Sequence, residues 1–210
     1  MVSGGYENEP IRGLPGRLPK GERILWQGAP DWKRLALTAF HVRGVGLYFL
    51  ALAVWAMVAG TGASGIFTTF VAGCICIGLL YLFAWLVARS TVYTLTNRRV
   101  VLRMGVALPK CINIPHTIIA NAAVKQLGDG SADIPLQLTG PDRMGYLMLW
   151  PHARPWKVAN AEPMLRAVPD GDAVAAKLAR ALAEAVPEGR RTPLVASGDA
   201  GIATGEAAIA

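Results

Sequence analysis

GVGLYFLALAVWAMVAGTGASGIFTTFVAGCICIGLLYLFAWLVA, residues Gly44 to Ala88, is the stretch that decides how this chain folds. It contains no Asp, Glu, Lys or Arg, although the chain carries 21 basic and 14 acidic side chains. All of those charges lie before or after it. Segregation of this kind is what a hydrocarbon layer demands, whereas a soluble core needs apolar residues on one face of a helix only. The reading is therefore an α+β membrane protein built on a two-helix transmembrane hairpin.

Gly44 to Gly60 would run about 25 Å as a helix, slightly short of a hydrocarbon core of about 30 Å. Leu35 to Val42, LALTAFHV, is expected to extend that helix backwards. Trp32, Lys33 and Arg34 then sit at headgroup level, and Arg43 snorkels to the same interface. Ile66 to Ala88 spans about 35 Å and suffices alone, with Tyr81 and Trp85 where an aromatic belt is expected. Thr61 to Gly65 reads as the connecting turn. Lys33, Arg34 and Arg43 precede the pair and Arg89, Arg98 and Arg99 follow it, so the positive-inside bias places both termini in the cytoplasm. Small residues recur at four-residue spacing: Ala56 and Gly60, Cys74 and Gly78, Ala84 and Ala88. They suit close helix contact, either between the two helices or with helices of another protein.

The formal charge of +7 is spread over the flanks without the aromatic interleaving of a nucleic-acid module. Attraction to anionic headgroups explains it more simply. Cys74, Cys76 and Cys111 form an odd set without paired spacing, which argues against a disulfide framework or a zinc site. Met1 to Asn8 lacks the basic and apolar regions of a secretory signal.

Beyond Arg89 the pattern changes to short alternating segments separated by turn residues, the signature of half-buried antiparallel strands. The expected strands are Val92 to Leu95, Val100 to Arg103, Cys111 to Ile114, Ile118 to Leu127, Ile134 to Leu138 and Tyr146 to Trp150. The first two flank the turn Thr96, Asn97, Arg98, Arg99, and Thr139 to Asp142 is another connection. A helix from about Asp172 to Val186 follows, capped by Asp170 or Asp172 and stopped by Pro187. Its apolar stripe, Val174, Leu178 and Leu182 with Ala181 and Ala185, must cover an open end of the sheet. The expectation is a half-open small barrel or sandwich with a C-terminal helix.

Four parts result: 1–31, an N-terminal cytoplasmic segment; 32–90, the hairpin; 91–186, the barrel domain; and 187–210, an Ala-, Gly- and Ser-rich tail expected to be disordered. Within the first part, prolines block a long helix, but Glu22 to Gln27 alternates well enough to add a strand to the sheet edge. The alternative is an extended arm that binds a partner.

The run YTLTNRRVVLRMG, Tyr93 to Gly105, resembles the opening hairpin of bacterial pleckstrin-homology-like (PH-like) domains, and a helix after the strands fits that fold. YENEPIRGLPGRLPKGERILWQGAPDWKRLA, Tyr6 to Ala36, with AFHVR and YFLALAVW after it, resembles the PuhB family of photosynthetic-complex assembly proteins of purple phototrophic bacteria. That resemblance implies an assembly factor, or chaperone, for the reaction centre and its light-harvesting 1 antenna in the cytoplasmic or intracytoplasmic membrane. Its partners would be antenna polypeptides or reaction-centre subunits, and self-association is left open. The competing reading is a membrane-anchored lipid-sensing module.

No catalytic or metal set is legible: His41, His116 and His152 lie far apart, with no Asp, Glu or Cys at ligand spacing. Neither an enzyme nor a cofactor is expected. His41, near a helix end, is a weak candidate to ligate a bacteriochlorophyll magnesium, against an ordinary headgroup or water contact. Arg89, Arg98 and Arg99 form the best basic cluster for lipid or an acidic tail. Trp26, Trp32, Tyr48 and Trp55, with Arg43, Gly60 and Gly78, complete the contact candidates.

Overall fold

The computed structural model describes residues 11–139 and 145–185. The expected disordered tail, Pro187 and most of the Thr139 to Asp142 connection lie outside them. Strand β1 (Ile24–Gly28) is followed by helices α1 (Trp32–Thr38), α2 (Val42–Val58) and α3 (Gly62–Ser90), then by β2 (Val92–Thr96), β3 (Arg99–Met104) and β4 (Lys110–Pro115). A 3-10 turn at His116–Ile118 leads into β5 (Ile119–Ala122), β6 (Lys125–Gln126), β7 (Ala132–Leu138), α4 (Tyr146–Leu149), β8 (Met164–Val168) and α5 (Gly171–Ala185).

Two antiparallel sheets enclose the core. One has the order β1-β2-β3-β4; the other runs β5-β7-β6, with β8 pairing β7. The N-terminal segment thus supplies an edge strand, Trp26 pairing with Leu95 and Gly28 with Tyr93. Tyr93, Leu102, Ile114, Ile134, Leu136 and Leu178 are fully buried between the sheets and α5. The stripe on α5 buries Val174, Leu178 and Ala181 as its spacing predicts.

Three local readings are corrected. Tyr146 to Trp150 is a single helical turn, because Tyr146 and Leu149, three residues apart, both turn inward. Ile118 to Leu127 is not one strand but β5 and β6, broken at Ala123 and Val124. Leu35 to Val42 does not continue the next helix: α1 and α2 meet at 56° across Ala39 to His41. His41 adopts a left-handed conformation there (φ 50°, ψ 39°), and the side chain of Asp31 caps α1 by accepting from the backbone N–H of Lys33 at 2.8 Å. Strand β8 is an addition to the expected set.

Helices α2 and α3 pack along each other. Gly73 is buried where a Cβ would come within 3.0 Å of Phe49, and Ala56 and Ala84 are buried as well. The reversal is tighter than expected: α3 starts at Gly62, and Gly60 (φ 66°) and Gly62 (φ 74°) supply left-handed backbone for the bend. Helix α3 is long and apolar enough to cross a membrane, and α1 with α2 meets the same test only when the bent pair counts as one span.

Candidate functional site

The region richest in chemistry is the junction where α3 meets the sheets. Strand β8 carries a bulge there, with Arg166 and Ala167 opposing the single residue Asp133 of β7. Ala167 takes a left-handed φ of 47°, which frees three backbone groups from the ladder. The Arg166 N–H donates to the Tyr93 hydroxyl at 3.1 Å, the Ala167 N–H donates to Oδ1 of Asp133 at 2.8 Å, and the Ala167 carbonyl accepts from the Asp31 N–H at 2.8 Å. The bulge therefore fastens α1 to the domain. Arg34 adds an ion pair to Asp129 and a 3.3 Å bond to the Leu127 carbonyl.

Tyr93 also bonds a buried histidine. Its hydroxyl lies 2.7 Å from Nδ1 of His152, whose Nε2 is 3.1 Å from the Thr91 hydroxyl. Both ring nitrogens of the imidazole are thus engaged by hydroxyl groups. Burial, with the positive Arg166 nearby, pushes His152 down to about 3. Burial likewise raises Tyr93 and Asp133 and lowers Arg166, whose guanidinium donates to the Pro151 carbonyl at 3.1 Å. This network holds a joint together, and its His152 borders the groove beside it.

Beside it opens an apolar groove of about 290 Å³. Phe83 and Val87 of α3 form one wall, the β3–β4 turn with Val106 and Leu108 another, and Leu147, Met148 and Trp150 the third. Trp150 stacks on Phe83, with ring centroids 6.1 Å apart, and meets Phe40 edge-on at 5.7 Å. Of the lining residues, the sequence draws attention to His152, and only as a histidine without ligand partners. The available signal was the turn Gly105 to Pro109, GVALP, which carries none of the polar residues that solvated turns favour.

The contact candidates do not converge on one place. Trp26 is half-buried against the core and packs over Gly28. Trp32 lies edge-on to Tyr81 at 6.1 Å, linking α1 to α3. Arg43, Tyr48, Trp55, Gly60 and Gly78 are exposed on the helices, and a Cβ at Gly60 or Gly78 would meet nothing. Arg89 stacks over Trp85 at 5.3 Å. Strand β2 carries the chain roughly 17 Å from there at about 3.3 Å per residue, so Arg89 does not cluster with Arg98 and Arg99. Arg99 holds Glu22 through bonds of 2.8 and 3.1 Å, while Arg98 is exposed. His41 is exposed at the α1–α2 bend. Among the described residues, no three His, Cys, Asp or Glu are grouped to hold a metal ion.

Comparison with known proteins adds the lineage. Residues 37–182, which include α2 and α3 as well as most of the two sheets, match the bacterial PH domain family. The chain belongs to that family. A protein of Rhodobacter capsulatus is 38% identical over 215 residues, covering 97% of this chain and 98% of its own length. It is described as an uncharacterized 23.7 kDa protein in the puhA 5′ region. No solved structure matches this bacterial PH domain chain.

Proposed function

We propose that this chain is an assembly factor for the photosynthetic reaction centre and light-harvesting 1 complex, anchored in the bacterial inner membrane by α2 and α3. In this reading the pair crosses the bilayer as a hairpin, with both termini and the PH-like domain in the cytoplasm. The positive-inside distribution of Lys33, Arg34, Arg43 and Arg89 supports that orientation. The observation that carries the reading is the match over nearly the whole chain to a protein described by its place beside puhA. It agrees with the resemblance of Tyr6 to Ala36 to the PuhB family.

The structure suits this work. Tyr48, Trp55, Phe67, Phe70 and Leu79 project from the hairpin and are exposed, leaving faces free for subunit helices. The domain fixed to α1 and α3 stands where the cytoplasmic ends of those helices would emerge, and two linked contacts raise effective concentration. The lipid-sensing alternative would rest on Arg98 and Arg99 in the β2–β3 turn, where Arg99 also holds Glu22.

Purification in mild detergent from phototrophic membranes, followed by mass spectrometry, tests the proposal. Light-harvesting 1 polypeptides or reaction-centre subunits are expected with the chain. Recovery of neither, together with tight retention of anionic lipid, would replace this reading with the lipid-sensing one.

A further inference from the structure

Two segments outside the long helices present apolar side chains outward at the same place. In the β3–β4 turn, Leu108 is 75% exposed and Val106 is exposed beside it. In α4, Tyr146 and Leu149 face the core while Leu147 is 89% exposed, with Met148 and Trp150 also exposed. A surface helix normally shows its polar side to water, and the tip of a water-facing turn normally carries polar Asn, Asp or Ser. Here both rules are reversed in segments 39 or more residues apart in sequence that line one groove.

The third wall of that groove identifies what covers it. Phe83 and Val87 belong to α3, whose 29 residues extend about 43 Å. That exceeds a hydrocarbon core of about 30 Å, so the last turns of α3, with Tyr81 and Trp85, fall at the boundary between acyl chains and headgroups. Phe83 also lines the apolar flank of α3 with Cys76, Leu79 and Leu82, which makes the groove continuous with the surface of the helix. Lys110, at the groove rim, is placed to meet headgroup phosphates.

We infer that the β3–β4 turn and α4 dip into the cytoplasmic leaflet beside α3, so that the sheet domain is seated in the lipid interface through Leu108, Leu147, Met148 and Trp150. The occupant of the groove is phospholipid acyl chain. This inference rests on the reading of α3 as a membrane span and goes beyond it. Insertion of a few large apolar side chains about 5–10 Å below the headgroups is a common mode of interfacial anchoring.

The test uses the full chain in phosphatidylcholine–phosphatidylglycerol nanodiscs, with Cys74, Cys76 and Cys111 changed to Ala. Nitroxide labels are attached at Leu108→Cys or Leu147→Cys, with Leu79→Cys as the reference on α3 and Lys177→Cys as the reference on exposed α5. Both new sites are exposed, so the labels do not disturb folding. The readout is the ratio of collision rates with oxygen, which concentrates in hydrocarbon, and with a water-soluble nickel chelate. Labels at positions 108 and 147 are expected to give ratios several-fold above position 177 and close to position 79. Ratios at 108 and 147 equal to that at 177, with 79 still in lipid, would overturn the inference and leave the membrane span intact. A water-like ratio at 79 as well would remove both. Shielding of 108 and 147 from both reagents would overturn it in favour of a second copy of the chain lying on the groove.

Discussion

A neutral histidine held at the centre of a buried network makes stability depend on acid. Unfolded, His152 titrates near 6.5; folded, burial holds it at about 3. The unfolded chain therefore binds the extra proton first, and stability contributed by the neutral form is lost as pH falls below about 6.5, at up to about 1.4 kcal/mol per pH unit. His116, also lowered by burial, acts in the same direction. Asp133, raised by burial, acts in the opposite one: its contribution is present at low pH and lost as pH rises above the ordinary aspartate range. Thermal unfolding in detergent is expected to shift downward between pH 7 and pH 5, and less steeply in His152→Gln, which cannot gain the proton. A second expectation concerns Glu22, whose side chain is 2% exposed beneath Arg99. Glu22→Ala leaves that guanidinium without its bidentate partner and frees β1 from the β2–β3 turn, at a cost of about 1–3 kcal/mol in chemical denaturation.

At the scale of elements, Gly73 and Gly78 of α3 separate folding from binding. Gly73 lies under Phe49, so Gly73→Val forces the pair α2 and α3 apart and is expected to lower hairpin stability by about 1–3 kcal/mol. Gly78 faces open space. Gly78→Val is expected to leave the unfolding temperature within a degree or two of the parent, but to reduce recovery of antenna or reaction-centre subunits if that face docks their helices. Unchanged recovery would assign the docking face elsewhere. The same elements show what the sequence makes legible. The helical pair, the β2–β3 turn, the edge strand β1 and the stripe on α5 all follow from patterns that repeat over enough residues to fix a period. Five residues such as Tyr146 to Trp150 fit either period, and burial of Tyr146 and Leu149 selected the helix. Strand β8 was hidden by the buried Arg166 within it, which only the bulge accommodates. The break at Ala39 to His41 has neither Gly nor Pro to announce it, and His41 turns the chain there in a left-handed conformation. The junction network and the groove were illegible for a related reason, since each is assembled from segments far apart in the chain.

The orientation of the whole molecule is open to a direct measurement. In the cysteine-free background, Ser64→Cys sits at the start of α3 and Lys177→Cys on α5, at opposite ends of the helical pair. A membrane-impermeant maleimide added to intact cells with the outer membrane opened is expected to label position 64 and to reach 177 only after the inner membrane is breached. Labelling of 177 in intact cells would reverse the topology.

Asp31 and Arg34 clamp α1 to the β7–β8 end of the domain, and Trp32 ties it to α3. On the proposed assembly reading, the protein would then be a spacer of constant height. A subunit tail would be met at one fixed distance along the membrane normal, and reach would become a criterion for selecting what is bound.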